Sequence, residues 1–143
     1  MTRYLYPIDL EDLPEGRVLA CAPDLDGCLT DGADRAEALA EAADAVEETL
    51  ASAMKHGLPI PLPSATAGRP TAGPGAVMAA KLALYENLRA SGLSNAAFAR
   101  KIGVQENEVR RMLNPRHATK MARLETALAW FGKRLVVAVE DAA

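Results

Sequence analysis

Cysteine is scarce. The 143 residues contain two, Cys21 and Cys28, and neither lies in the paired Cys/His spacing of a zinc site. No metal site and no cofactor is expected, and both thiols read as small buried hydrophobes in a reduced, cytoplasmic protein. No apolar stretch approaches the roughly 20 residues needed to cross a bilayer, so no membrane partner is expected. Met1 to Arg17 is too polar to contain the apolar core of a signal peptide. There is no disordered or fibrous bias either, because half the residues are apolar and 24% are charged, which is a normal globular balance.

What the chain does have is charge divided by position. Residues 1–79 carry 5 Lys+Arg against 13 Asp+Glu, whereas residues 80–143 carry 11 against 6, giving −8 and +5 within a total of −3. Two parts of opposite sign suggest two partners: a polyanion for the basic part and a basic surface for the acidic one.

The hydropathy pattern divides the chain in the same region. Tyr4–Leu10 and Arg17–Ala22 are short apolar-rich runs around the turn-forming Leu13-Pro14-Glu15-Gly16, which predicts a β-hairpin, with a third short strand near Cys28–Thr30. Asp34, with Glu37 three residues on, has the spacing of a capping box and opens a helix over Arg35–His56. Leu39, Ala43, Val46, Leu50 and Met54 recur at helical intervals and predict the face packed on the sheet. Gly57 ends that helix, and Pro59-Ile60-Pro61-Leu62-Pro63 is extended. Residues 64–79 then read as a flexible linker between a domain at 1–63 and a second at 80–143, since Ser64 to Gly75 offers little to anchor a core. Beyond it come four helical segments and a β-branched end, Arg134–Glu140. A lone terminal strand needs a partner, and the same strand of a second chain can supply one.

Asn95–Asn114 satisfies the packing demands of a twenty-residue helix-turn-helix. Its fifth residue must be small, where the helices cross, and is Ala99; its ninth needs glycine's backbone freedom and is Gly103. Positions four, eight, ten, fifteen and eighteen must be apolar and are Phe98, Ile102, Val104, Val109 and Met112. The second helix of such a unit enters the major groove of double-stranded DNA. Gln105, Asn107 and Arg110 are the candidate base readers, because Arg can bond guanine, and Asn or Gln adenine, through two hydrogen bonds, and Arg111 on the same helix is a further candidate DNA contact. Ser94, Asn95, Arg116, His117 and Lys120 are candidates for phosphate contact. Glu106 and Glu108 oppose phosphate unless they accept from a cytosine amine or pair with Arg110 or Arg111, which favours binding as a homodimer or a higher even oligomer.

Asp24-Leu25-Asp26-Gly27-Cys28 looks like the nucleophile loop of haloacid-dehalogenase-like phosphatases. The remaining parts of that machinery are missing. No Asp stands between Asp44 and Asp141 to hold Mg²⁺, Pro23 interrupts the strand leading in, and Cys28 replaces the expected Thr. No enzyme activity is expected.

The whole order of parts fits another family. A Tyr-rich first strand, a second strand, Pro23-Asp24-Leu25-Asp26-Gly27-Cys28, Asp31-Gly32, a long Ala/Glu helix and Pro-Ile-Pro-Leu-Pro resemble the HicB antitoxins. Arg116-His117-Ala118-Thr119-Lys120 and Gly132-Lys133-Arg134-Leu135 are similar to their helix-turn-helix subclass, and the one departure is Asp26 where the family usually has Pro. The resemblance implies an α+β fold, with a degraded RNase H-like N-terminal sheet and helix and an all-helical C-terminal helix-turn-helix domain ending in a short strand. It implies neutralisation of a small basic HicA-type toxin, an mRNA interferase, by the first domain and operator binding by the second. Asp24, Asp26, Asp31, Glu37 and Glu41 are the candidate toxin contacts. The competing expectation is a stand-alone transcriptional regulator with a ligand-sensing or oligomerising N-terminal domain.

Overall fold

A computed structural model describes residues 1–141 as two units, divided between Gly75 and Ala76. The protein is α+β, with small antiparallel sheets and five helices among the described residues.

In the first unit the run expected as a single opening strand is split. β1 (Tyr6–Pro7) pairs with β5 (Thr71–Ala72), while β2 (Asp9–Asp12), β3 (Val18–Cys21) and β4 (Leu29–Gly32) form a three-stranded sheet in that order. β2 and β3 make the expected hairpin, with Asp9 opposite Cys21 and Asp12 opposite Val18. Helix α1 (Arg35–Lys55) begins at Asp34, whose carboxylate accepts the Glu37 N–H at 2.8 Å; Glu37 in turn accepts the Ala33 N–H at 3.2 Å. This arrangement satisfies the Glu37 N–H, a donor that the first helical turn leaves unpaired, and the N–H of Ala33 just before the cap.

The buried face of α1 is Ala38, Ala42, Val46, Leu50 and Met54, so its first half is rotated by one residue from the expected Leu39 and Ala43, which are only half-buried. Gly32 explains the rotation. A Cβ at Gly32 would lie 2.4 Å from the Ala38 backbone nitrogen, an approach that the small Ala38 permits and that seats it against β4.

The expected linker is structured in its middle. Ala72 is buried in its pairing with β1, the Ile8 N–H donates to Pro70 O at 2.8 Å, and Arg69 pairs with Asp9 at 2.6 Å. The small, polar composition of Ser64–Gly75 signals a lack of side-chain anchors, but backbone pairing needs none, so this segment completes the first unit. Residues 76–79, the expected end of the linker, are the first turn of the next helix.

The second unit holds α2 (Ala76–Ser91), α3 (Asn95–Ile102), α4 (Glu106–Leu113) and α5 (Met121–Trp130). Leu84, Leu88, Phe98, Ala99, Val109, Met112, Leu124 and Leu128 form its core, with Ile102 and Val104 packed against them. Phe98 stacks on Phe131 at 5.1 Å between ring centroids and meets Trp130 edge-on at 5.7 Å. Residues 134–140 form no strand within the chain. Among the described residues no strand pairs with this segment to make it a β-strand, and Val136, Val137 and Val139 are 59%, 69% and 97% exposed. Among the described residues, no helix is long and apolar enough to cross a membrane.

Candidate functional site

Gly103 makes the sharp connection between α3 and α4. It adopts φ 73°, a left-handed conformation that costs glycine little, and the Val104 N–H then closes the turn on Ala99 O at 3.0 Å. Val109 and Met112 anchor one side of α4 in the core, which turns Asn107, Arg110 and Arg111 outward beside the exposed N-cap residue Gln105. Asn107, Arg110 and Arg111 therefore share the exposed side of α4, and Gln105 is exposed at its N-cap. Ser94 is also exposed, but its hydroxyl caps α3 by accepting the Ala97 N–H at 3.0 Å, and Asn95 is half-buried in the first turn.

The acidic residues of α4 are engaged. Glu106 pairs with Arg110 at 2.7 Å, and Glu108 with Arg123 of α5 at 2.7 Å. A recess of about 190 Å³ beside α4 is lined by Glu108, Arg111, His117, Lys120 and Arg123 among others. Arg111, Lys120 and Arg123 against the single carboxylate of Glu108 give it a net positive lining, which suits an anion.

Sequence reasoning missed how the loop following α4 is held. Lys81 of α2 is fully buried, and it is the only buried charged side chain among the described residues. Its Nζ donates to Arg111 O at 3.1 Å, Asn114 O at 2.6 Å and His117 O at 2.7 Å. An ammonium has three protons, and here three carbonyls receive them. Burial lowers the Lys81 pKa by removing water from the charged form. The loop is braced further by Asn114 Oδ1, which accepts the Arg116 N–H at 3.0 Å, and by the buried Thr119, whose hydroxyl lies 2.9 Å from His117 Nδ1. No periodicity marks such a lysine; only the approach of α4 to α2 identifies it.

The first unit offers a second surface. Cross-strand pairing aligns Asp9, Glu11, Leu19, Cys21, Leu29 and Asp31 on one side of the three-stranded sheet, opposite the side on which Val18, Ala20 and Gly32 are buried toward α1. Leu29 is 59% exposed there. Of the candidate toxin contacts only Asp31 lies on this side, paired with Arg17. Asp24 accepts the Ser64 N–H at 2.7 Å, Glu37 is occupied in capping α1, and Asp26 and Glu41 are exposed elsewhere. Asp31 and Glu37 both act electrostatically on Arg17, and the register that aligns Leu19 and Leu29 with Asp9, Glu11 and Asp31 is a tertiary property.

No protein-family model matches the chain. Individual relatives do. It is 30% identical over 135 residues to Antitoxin HicB 1 of Photorhabdus laumondii subsp. laumondii, covering 94% of this chain and 86% of the relative. It is 34% identical over 130 residues to Antitoxin HicB 2 of the same organism, covering 91% and 92%. Antitoxin HicB of Escherichia coli K12 is 32% identical over 136 residues, covering 91% and 95%. With near-full-length similarity to several of its members, the chain belongs to the HicB antitoxin family.

Proposed function

We propose that the protein is a non-catalytic antitoxin that neutralises a HicA-type mRNA interferase by direct binding and represses its own operon by binding operator DNA. The observation that carries the DNA-binding part is the two-sidedness of α4: Val109 and Met112 are buried while Gln105, Asn107, Arg110 and Arg111 are exposed. In this reading α3, the turn and α4 are the helix-turn-helix, α4 enters the major groove, and the Arg116–Lys120 loop meets phosphate. Toxin binding is assigned to the first unit. Its small sheet followed by one helix supports a reduced RNase H-like module, and its net charge of −8 complements a basic partner. Exposed Val136, Val137 and Val139 support pairing of the C-terminal segment with that of a second copy, which would place two copies of α4 on one operator.

A mobility-shift assay on the protein's own promoter tests the reading. Arg110→Ala relaxes sequence preference, whereas Lys120→Ala weakens all sequences alike and lowers the salt slope by about one unit. Between 50 and 200 mM salt, one lost phosphate contact makes the fall in affinity about three- to fourfold smaller. Absence of salt-dependent binding by the wild-type chain would sink the DNA assignment. Failure to retain the neighbouring gene's basic product in a pull-down would sink the toxin assignment.

A further inference from the structure

We propose that Lys81, which cannot itself reach a ligand, is the positioning residue of the phosphate-contacting surface: it fixes the loop after α4 so that Arg116, His117 and Lys120 are held beside Arg111. This inference rests on the DNA-binding reading above. The three carbonyls that its ammonium collects belong to Arg111, Asn114 and His117, so one side chain from α2 ties down the last turn of α4 and both ends of the segment that follows. Two of these are candidate DNA-contact residues, and Arg116 lies between the second and third anchors. Without the ammonium the three carbonyls would keep only their longer local donors, the Asn114 N–H and Thr119 hydroxyl on Arg111 O, the His117 N–H on Asn114 O and the Thr119 N–H on His117 O, and the loop would lose the bonds that tie it to α2. The last turn of α4 also carries the negative end of its helix dipole, which the buried charge offsets.

A lysine that served only to stabilise the unit would use the same bonds, so the distinguishing quantity is coupling to DNA contact. The test compares Lys81→Met with Leu84→Ala, a core truncation that destabilises the unit without touching the loop's hydrogen bonds, and both with Lys120→Ala. Under conditions where each variant is folded, Lys81→Met lowers the salt slope of operator binding by about two units, and Leu84→Ala leaves it unchanged. In the Lys81→Met background, Lys120→Ala has almost no further effect, because its contact has already been lost; additive effects of the two substitutions would overturn the proposal. Amide hydrogen exchange of His117 and Thr119, whose N–H groups donate within the loop to Asn114 O and His117 O, accelerates at least tenfold in Lys81→Met while the Leu128 amide stays protected. Unchanged exchange overturns the proposal. If the wild-type chain binds no operator DNA, the DNA-binding reading fails, whereas the exchange experiment still decides what Lys81 holds. Should Lys81→Met not fold, the wild-type protein supplies the test: the Lys81 ammonium gives a slowly exchanging ¹⁵N resonance with couplings to the carbonyl carbons of residues 111, 114 and 117. An ammonium that exchanges as fast as those of the exposed lysines refutes the assignment.

Discussion

Phe98→Ala removes the ring around which the aromatic corner of the second unit is built. The side chain is fully buried, stacked on Phe131 and edge-on to Trp130. Losing a buried aromatic area of roughly 150–200 Å² at about 25 cal/mol per Å² gives about 4–5 kcal/mol. Trp130 is 43% exposed and can settle partly into the space, which brings the expectation to about 3–4 kcal/mol, within the usual range for Phe→Ala. At about 0.05–0.15 kcal/mol per residue, a unit of this size has roughly 3–10 kcal/mol in hand, so the substitution removes a third of its stability or all of it. Trp130 is the single tryptophan of the chain and touches the substituted ring, so its fluorescence reports unfolding of this unit. In urea, with a slope of about 1 kcal/mol per M, the midpoint falls by about 3 M. A shift below about 0.5 M with unchanged tryptophan emission would refute the claim that Phe98 organises the core between α3 and α5.

Gly103→Ala places a Cβ on a left-handed residue and costs about 1–2 kcal/mol, read as a lower thermal midpoint of the second unit and weaker operator binding at the growth temperature. In the first unit, the half-exposed Cys21 reacts with iodoacetamide before the buried Cys28, as peptide mapping at partial labelling will show. Burial pushes the Cys28 thiol above its ordinary value of about 9. The folded state therefore keeps its proton where the unfolded chain releases it, and stability falls as pH rises through the ordinary thiol range. Cys28→Ala removes this slope, which denaturant titrations between pH 8 and pH 10 measure.

Phe98, Ala99, Gly103, Val109 and Met112 were legible in the sequence because their constraints are local: fixed spacing along two helices and one left-handed turn. The capping of α1 by Asp34 and Glu37 was legible for the same reason. The pairing of Thr71–Ala72 with Tyr6–Pro7 was not, because a two-residue ladder closed across more than sixty residues leaves no periodicity. Ala-rich α1 concealed its own rotation, since Ala42 and Ala43 are the same residue type and the close approach at Gly32 seats Ala38 where the more apolar Leu39 is expected. Charge pattern alone assigns Lys81 to a solvated face; the carbonyls that receive it come from residues 30 to 36 positions later. Likewise, acidic residues could be counted from sequence, but only the strand register brings Asp9, Glu11 and Asp31 beside Leu19 and Leu29.

The two glutamates of α4 bear on how many copies an operator must engage. An eight-residue helix is too short to persist without help, and Glu106 and Glu108 lie in its first turn, where the positive end of the helix dipole favours carboxylates. Their pairing with Arg110 and Arg123 is exposed to solvent, and such pairs are worth about 0.2–1 kcal/mol, the i,i+4 pair of Glu106 with Arg110 about 0.3–0.5 kcal/mol. A two-bond contact from arginine to guanine discriminates by about 1–3 kcal/mol, so releasing Arg110 from Glu106 costs only a fraction of what the base contact returns. The ion pair is therefore compatible with base reading and orients Arg110 before contact. On the proposed reading the charge of Glu106 and Glu108 nevertheless remains at the surface that would face DNA and subtracts from the attraction that each copy of α4 can exert. Presenting two copies doubles the base contacts as well as the repulsion, while the second copy binds at the high effective concentration set by the first. On the proposed reading, residues that make this short helix stable also weaken its single encounter with DNA, and pairing through the exposed Val136–Val139 segment is what restores the affinity.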